Sequence, residues 1–188
     1  MRHLLALTCC LSSLALAERP PAREHAAPEL FTELKGGSDT PGARFLATLP
    51  EAARKAVEKD GQVVLDQKST SSGPALIRAV ARFSRPKAEV WQLITRVSDQ
   101  SKFLPHVDKS ETVGERTVDG EVNDYVVAFL FTFRYRTQHW FYGEDARLEW
   151  NLDPSGGDGL VEQLGFWQLY ELDENTTIAE YGTRLVVR

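Results

Sequence analysis

The stretch SRPKAEVWQLITRVSDQSKFLPHV, residues 84–107, decides the fold of this chain. Pro86 is typical of the first turn of a helix, and Ser84 stands where a capping side chain is expected. The apolar residues that follow recur at i, i+3, i+4 and i+7: Val90, Leu93, Ile94 and Val97. One apolar helix face is therefore predicted. The next segment, 99–103, is too short for an independent helix and ends at Pro105.

The sequence on both sides of this interruption has the two-residue period of strands. A helix over 49–60 comes first, with Pro50 in its first turn and Gly61 as its cap. QVVLDQKS and PALIRAVARFS then read as two strands, and further strands follow Lys109 as a meander. Asp119-Gly120 predicts a tight two-residue turn in the first hairpin of that meander. The expected class is α+β with one curved antiparallel sheet.

The N-terminus reads as an export signal. MRHLLALTCCLSSLALA begins with charge, continues through a short apolar run and ends in Ala15-Leu16-Ala17, which predicts a signal peptide over 1–17, cleaved after Ala17, and a secreted or periplasmic protein. A retained anchor is the alternative. Residues 18–45 mix Pro, Gly, Ala and charge and are predicted to be a disordered linker, which leaves 46–188 as the domain. Both cysteines, Cys9 and Cys10, would leave with the signal.

Composition limits the partners. The formal net charge is −5, and no block of Lys and Arg occurs, which argues against nucleic acid and an anionic membrane surface. No stable membrane span is expected after signal cleavage. His, Cys and carboxylates show no metal-ligand spacing, and the glycine-rich segment 155–159 opens no helix, so neither a metal nor any other cofactor is predicted.

A curved sheet leaves an apolar trough on its concave face that something must cover. The interrupted helices at 86–104 can close one end of it. The sequence stops at Arg188 in a strand pattern, without a long C-terminal helix. The early helix, a C-terminal helix of a longer chain, or a partner's helix would have to cover the rest.

The order of these segments resembles a known superfamily. ARFSRPKAEVWQLITRVSDQSKFLPHV, LEWNLD, GFWQLYEL and TTIAEYGTRLVV are similar to the START-like (SRPBCC, Bet v 1-like, helix-grip) superfamily, and most of all to its polyketide cyclase and coenzyme-Q-binding branch. The matching positions are Pro86, Val90, Trp91, Phe103, Leu104, Pro105, Trp150, Gly165, Trp167 and Tyr181. Over roughly 75–188, the resemblance implies seven antiparallel strands around a long C-terminal helix. It also implies a cavity for a lipid, quinone, sterol or polyketide.

The candidate site combines this resemblance with strand alternation. Two sets of residues alternate and would face one side of the sheet: Phe129, Phe131, Phe133 and Tyr135 in the first, and Leu148, Trp150 and Leu152 in the second. A turn near Thr132-Phe133 would reverse the parity of the first set. Ten ligand contacts are predicted: Trp91, Phe103, Leu104, Phe129, Phe131, Tyr135, His139, Trp150, Trp167 and Tyr181. Core packing is the alternative for each ring, and a structural role is the alternative for His139. His106 is expected at the cavity mouth or in solvent.

Three functions fit these observations. The first is an exported, non-enzymatic carrier or sensor of a hydrophobic small molecule, with 86–105 as its gate. The second is an aromatase/cyclase-type enzyme in which His139 or a tyrosine moves a proton. The third is an interaction domain whose open trough accepts a partner's helix. No catalytic residue is assigned, because no triad, nucleophile elbow or phosphate-binding loop is present in the sequence.

Overall fold

The computed structural model describes residues 39–68, 75–104, 106–128, 132–156 and 160–187. Helices occupy four segments: α1 Pro41–Thr48, α2 Glu51–Asp60, α3 Lys87–Ile94 and a 3₁₀ helix Val97–Lys102. Strands occupy eight: β1 Gln62–Lys68, β2 Ala75–Phe83, β3 Val107–Val113, β4 Gly120–Ala128, β5 Thr132–Tyr142, β6 Arg147–Asp153, β7 Leu160–Asp173 and β8 Thr176–Val187. The predicted signal peptide and most of the predicted linker lie outside these ranges.

All eight strands form one curved antiparallel sheet in the order β1-β2-β8-β7-β6-β5-β4-β3. From β3 to β8 each strand pairs with the next, which confirms the predicted meander. The family resemblance implies seven strands. The additional edge strand is β1, which precedes the span 75–188 that carries the resemblance.

The convex face of the sheet is covered by α1 and α2. Their apolar side chains pack with those of β1, β2, β7 and β8 in a separate core: Phe45, Leu46, Leu49, Val57, Val80 and Ile178. At Gly42 a Cβ would lie 2.8 Å from the backbone oxygen of Glu171, so glycine allows α1 to approach β7 closely. The prediction that the linker extends to residue 45 is wrong, because 41–45 belong to this helix.

The larger core lies on the concave face, where α3 and the 3₁₀ helix close one end. Val90, Ile94 and Val97 are buried there together with the rings and aliphatic side chains of β4 to β8. The predicted helix face is therefore confirmed, although the chain changes from α to 3₁₀ geometry between Ile94 and Val97. Ser84 does not cap α3, which begins after Pro86 without a side-chain capping bond.

The tight turn predicted at Asp119-Gly120 lies one residue earlier. Val113 pairs with Val122, so the hairpin exists, and in the segment 114–119 that joins its strands the Thr117 N–H donates to the backbone oxygen of Gly120 over 3.0 Å, which puts Val118 and Asp119 at the turn. Gly120 instead begins β4 opposite Trp140. A Cβ at Gly120 would lie 2.1 Å from the backbone oxygen of His139, so close approach of two strands explains this glycine.

Within the described ranges, no helix has the length and apolar character needed to cross a membrane. The same part of the chain contains no group of three or more His, Cys, Asp or Glu placed to hold a metal ion.

Candidate functional site

A continuous row of rings crosses five strands on the concave face. We call it the ring row; in spatial order it contains Tyr135, Tyr125, His139, Trp150, Tyr181 and Trp167. Neighbouring ring centroids lie 5.0, 6.3, 6.4, 5.7 and 4.8 Å apart. The row exists because directly opposed residues of antiparallel strands point to the same face. Tyr125 opposes Tyr135, and Trp167 opposes Tyr181.

A cavity lies between this row and the 3₁₀ helix. Its wall consists of Gln100, Leu104, Val107, Tyr125, Tyr135, Thr137, His139, Leu148, Trp150, Gln163 and Trp167. The space measures about 370 Å³ when its part open to solvent is included. The closed part holds little more than a water molecule, so a larger guest needs the wall to move outward.

Gly165 sets the position of one wall ring. Trp150 and Gly165 are directly opposed on β6 and β7. A Cβ at Gly165 would lie 2.3 Å from Cζ2 of Trp150 and 2.6 Å from the backbone oxygen of Gly182. The absent side chain therefore lets the indole lie flat against β7, where it forms the floor of the cavity.

Two hydrogen bonds tie the 3₁₀ helix to the sheet. The Tyr125 hydroxyl donates to Oε1 of Gln100 over 2.7 Å, inside the cavity wall. The Ser110 hydroxyl donates to the backbone oxygen of Val97 over 2.8 Å. These bonds fix the segment that would have to move if the cavity opened.

His139 is the most strongly perturbed titratable group of the wall. Its side chain is almost completely buried, with 3% of its surface exposed. Burial lowers the pKa of His139 to about 3; a hydrogen bond to the backbone of Glu121 opposes this shift, and the charge of Arg116 adds to it. The imidazole is therefore neutral at neutral pH.

Three residues of the cavity wall carry an unpaired buried polar atom. Nδ1 of His139, Oγ1 of Thr137 and Oε1 of Gln163 are buried and have no hydrogen-bond partner among the described residues. Buried polar groups in proteins are normally satisfied, because an unsatisfied one costs about 1–3 kcal/mol. An apolar wall with a few convergent polar atoms is typical of a small-molecule site.

An ion pair stands beside the cavity at the β3–β4 end. Arg116 donates to Oε2 of Glu121 over 3.2 Å and to the backbone oxygen of Thr95 over 2.7 Å, and its guanidinium lies 5.1 Å from the ring centroid of Phe141. Burial raises the pKa of Glu121, against the effect of Arg116. This pair fastens the β3–β4 connection to the C-terminal end of α3.

The structure places the ten predicted contacts in three ways. Five lie in the cavity wall: Leu104, Tyr135, His139, Trp150 and Trp167. Trp91, Phe103 and Tyr181 do not: Trp91 packs edge-on against Phe141, Phe103 is 37% exposed, and Tyr181 stacks on Trp150 and lies tilted against Trp167. Phe129 and Phe131 lie outside the described residues. His106 is exposed, as expected. The ligand contacts themselves remain predictions.

The predicted contacts did not include the other wall residues: Gln100, Val107, Tyr125, Thr137, Leu148 and Gln163. Parity carried a usable signal for three of them, and the sequence had already placed Leu148 on one face with Trp150. Thr137 alternates with Tyr135 and His139, and Gln163 alternates with Gly165 and Trp167. Nothing local to Gln100 predicts that its amide reaches Tyr125.

Comparisons with known proteins identify the fold. No protein-family model matches the sequence. No curated protein matches it either. Among solved structures, the Zhui aromatase/cyclase from Streptomyces sp. R1128 matches with a TM-score of 0.56 and 14% identity, over 62% of this chain and 70% of that one. A START superfamily protein from Mycobacterium smegmatis matches with a TM-score of 0.53 and 11% identity, over 62% and 79%. The chain has a START-like, helix-grip fold.

A third structure, TTHA0849 from Thermus thermophilus, agrees with a TM-score of 0.54 and 17% identity, over 60% of this chain and 75% of that one. At such identities the likeness establishes the START-like fold alone, because one fold hosts many functions. The predicted curved α+β sheet is confirmed. The ligand has to be argued from the cavity itself.

Proposed function

We propose that this START-like chain is a binding protein, a carrier or sensor, for a hydrophobic small molecule held on the concave face of its sheet. The ring row carries the proposal, because it makes one wall of the cavity from aromatic side chains. Burial of apolar ligand surface contributes about 25 cal/mol per Å², so aromatic walls supply affinity and the few polar atoms supply orientation.

The segment 97–104 is proposed as the gate. It supplies Gln100 and Leu104 to the wall opposite the sheet. Two side-chain hydrogen bonds hold this segment to the sheet, from Tyr125 to Gln100 and from Ser110 to the backbone oxygen of Val97. Exchanging both for water costs about 2 kcal/mol, which the apolar surface that a guest buries has to exceed.

Export remains part of the proposal and rests on the sequence of residues 1–17. Expression of the full chain with a C-terminal tag, followed by fractionation and N-terminal sequencing, tests it directly. A mature protein beginning at Glu18 outside the cytoplasm is the expected result. An intact Met1 on cytoplasmic protein would contradict it.

The burial of His139 argues against one form of the enzymatic alternative, in which this ring is the general acid. A general acid must hold a proton near neutral pH, and the low pKa of His139 leaves its ring unprotonated there. The imidazole can orient a guest, but it is a poor proton donor. A cyclase that used His139 as its acid would need this burial to be relieved.

Two measurements test binding. Solvent extraction of the purified protein followed by mass spectrometry should release a stoichiometric apolar compound. Separately, the neutral dye N-phenyl-1-naphthylamine should bind to protein stripped of that compound, and displacement by the extract should be complete. A clean extract together with no dye binding would overturn the proposal.

A matched tryptophan pair tests whether binding takes place on the cavity face. Trp150 and Trp140 are buried to a similar extent, but strand alternation puts Trp150 in the cavity wall and Trp140 on the opposite face of the sheet. Trp150→Phe should weaken dye binding about tenfold, or about 1.4 kcal/mol. Trp140→Phe should leave it unchanged. Equal effects would argue that the dye binds elsewhere.

A further inference from the structure

We propose that the guest of this cavity is a hydrogen-bond donor: it presents a hydroxyl or N–H group to Nδ1 of His139. The inference rests on the proposed function and narrows its ligand class. It favours phenols, alcohols and other hydroxylated apolar molecules. Quinones, ketones and ethers, which offer only acceptors, are disfavoured.

Nδ1 of His139 belongs to a buried residue of the cavity wall. His139 lies in the cavity wall between Tyr125 and Trp150 in the ring row, with 3% of its surface exposed. Its Nδ1 has no hydrogen-bond partner among the residues that the structure describes. A buried polar atom of a wall residue becomes a contact for a guest when the wall moves outward to admit it.

The hydrogen bonds of the His139 ring indicate which of its nitrogens carries the proton. The His139 ring makes a hydrogen bond to the backbone of Glu121 that favours its charged form, so the ring donates and the carbonyl oxygen accepts. Because Nδ1 has no partner, the donating nitrogen is Nε2. A neutral imidazole carries one N–H, so Nδ1 presents a lone pair and can only accept.

The acceptor role of Nδ1 requires that the His139 ring be uncharged. If the ring were charged, Nδ1 would become a donor and the preference would reverse. Burial and the nearby positive charge of Arg116 both oppose a second proton on His139. The acceptor role of Nδ1 therefore holds throughout the neutral pH range.

The remaining polar wall atoms are compatible with a hydroxyl guest. The Thr137 hydroxyl can both donate and accept, and the Gln163 carboxamide can turn to offer either its oxygen or its amino group. A guest hydroxyl can thus donate to His139 while it accepts from a neighbour. A guest carbonyl would set its lone pairs against the lone pair of Nδ1, which leaves both buried and unsatisfied.

The test uses two probes of nearly equal shape, 2-naphthol and 2-methoxynaphthalene, which differ in the single donor. Titration of the stripped protein, followed by tryptophan fluorescence and calorimetry, should show 2-naphthol binding at least tenfold more tightly. In His139→Phe, the ratio of the two affinities should fall to the value expected from the difference in water solubility of the two compounds alone. Tyr170→Phe, on the other face of the sheet, should retain it.

Nitrogen-15 NMR of the wild-type imidazole is a second readout that needs no variant. The free protein should show the Nε2–H tautomer, and 2-naphthol should shift the Nδ1 resonance of His139 while the ether leaves it in place. Equal affinity for both probes, or an Nδ1–H tautomer, would overturn this inference and leave the proposed function standing. Binding of neither probe, together with a clean solvent extract, would overturn both.

Discussion

The two faces of the sheet differ in whether their buried polar groups are paired. On the convex face, Glu180 is buried and accepts from Arg78 over 2.6 Å and from the Tyr170 hydroxyl over 3.3 Å. Arg147 donates to Glu149 over 2.5 Å and stacks 4.3 Å above the ring of Phe166. On the concave face, three buried atoms of the cavity wall have no partner within the described part of the chain.

This difference distinguishes buried polar groups that stabilise the fold from buried polar groups that can bind a ligand. A paired polar group recovers its desolvation cost inside the protein, whereas an unpaired one recovers it only when something else binds. Oε2 of Glu149 is an unpaired convex atom, but the other oxygen of that carboxylate is held by Arg147. The comparison predicts that convex substitutions change stability alone and that concave ones change binding.

The largest predicted effect is a loss of folding stability in acid, caused by His139 on the concave face. The unfolded imidazole of His139 takes up a proton near pH 6.5, while in the native state its pKa is about 3. The unfolded state therefore binds more protons between these values, so the stability that this residue contributes is lost as pH falls through that window. The slope reaches about 1.4 kcal/mol per pH unit, which amounts to about 2–3 kcal/mol between pH 6 and pH 4.

Urea unfolding at pH 7, 5.5 and 4 measures this loss, and His139→Phe should remove most of it. Glu121 acts in the opposite direction, because burial raises its pKa, so only the difference between wild type and variant isolates His139. His106→Asn removes an exposed imidazole instead and should keep the acid loss. Parallel pH curves for wild type and His139→Phe would contradict a buried neutral ring.

The next largest effect is expected at Gly165, whose missing side chain leaves room for Trp150. Gly165→Ala would place its Cβ against Trp150 and against the backbone of Gly182, and should destabilise the fold by about 2 kcal/mol through overpacking. It should also displace the indole and weaken dye binding. Gly143→Ala is the matched control, since nothing lies within 4 Å of its added Cβ, and it should change the unfolding midpoint little.

Local sequence patterns were sufficient to predict most helices and strands of the fold. Strand periodicity predicted the meander of strands after Lys109, and the Pro50–Gly61 pair placed α2 within two residues of its observed start. These elements alternate strictly or carry their own caps, so nearby residues decide them. α1 was missed because the Pro- and Gly-rich composition before it is typical of a linker.

Contacts distant in sequence explain the other failures. Gly120 looked like a turn residue, but the backbone of His139 across the sheet requires glycine there. Strand parity predicted that Tyr135 and His139 share a face, yet it could not say that the 3₁₀ helix would bring Gln100 to Tyr125. Phe103 matched a family pattern and nevertheless points to solvent, because only Leu104 of that pair turns inward.

The smallest predicted effect compares one hydroxyl from each face. Tyr170→Phe removes the donor to Glu180 and keeps the ring that stacks 4.4 Å from Phe45, so it should cost about 1 kcal/mol of stability and leave dye affinity unchanged. Thr137→Val removes a hydroxyl that has no partner and keeps the side-chain shape. It should leave the free energy of unfolding unchanged or raise it slightly, because an unsatisfied buried group is lost. Urea unfolding of both variants at pH 7 makes the comparison. If Thr137→Val were the more destabilising of the two, its hydroxyl would be structural, and the distinction between the faces would fail at that residue.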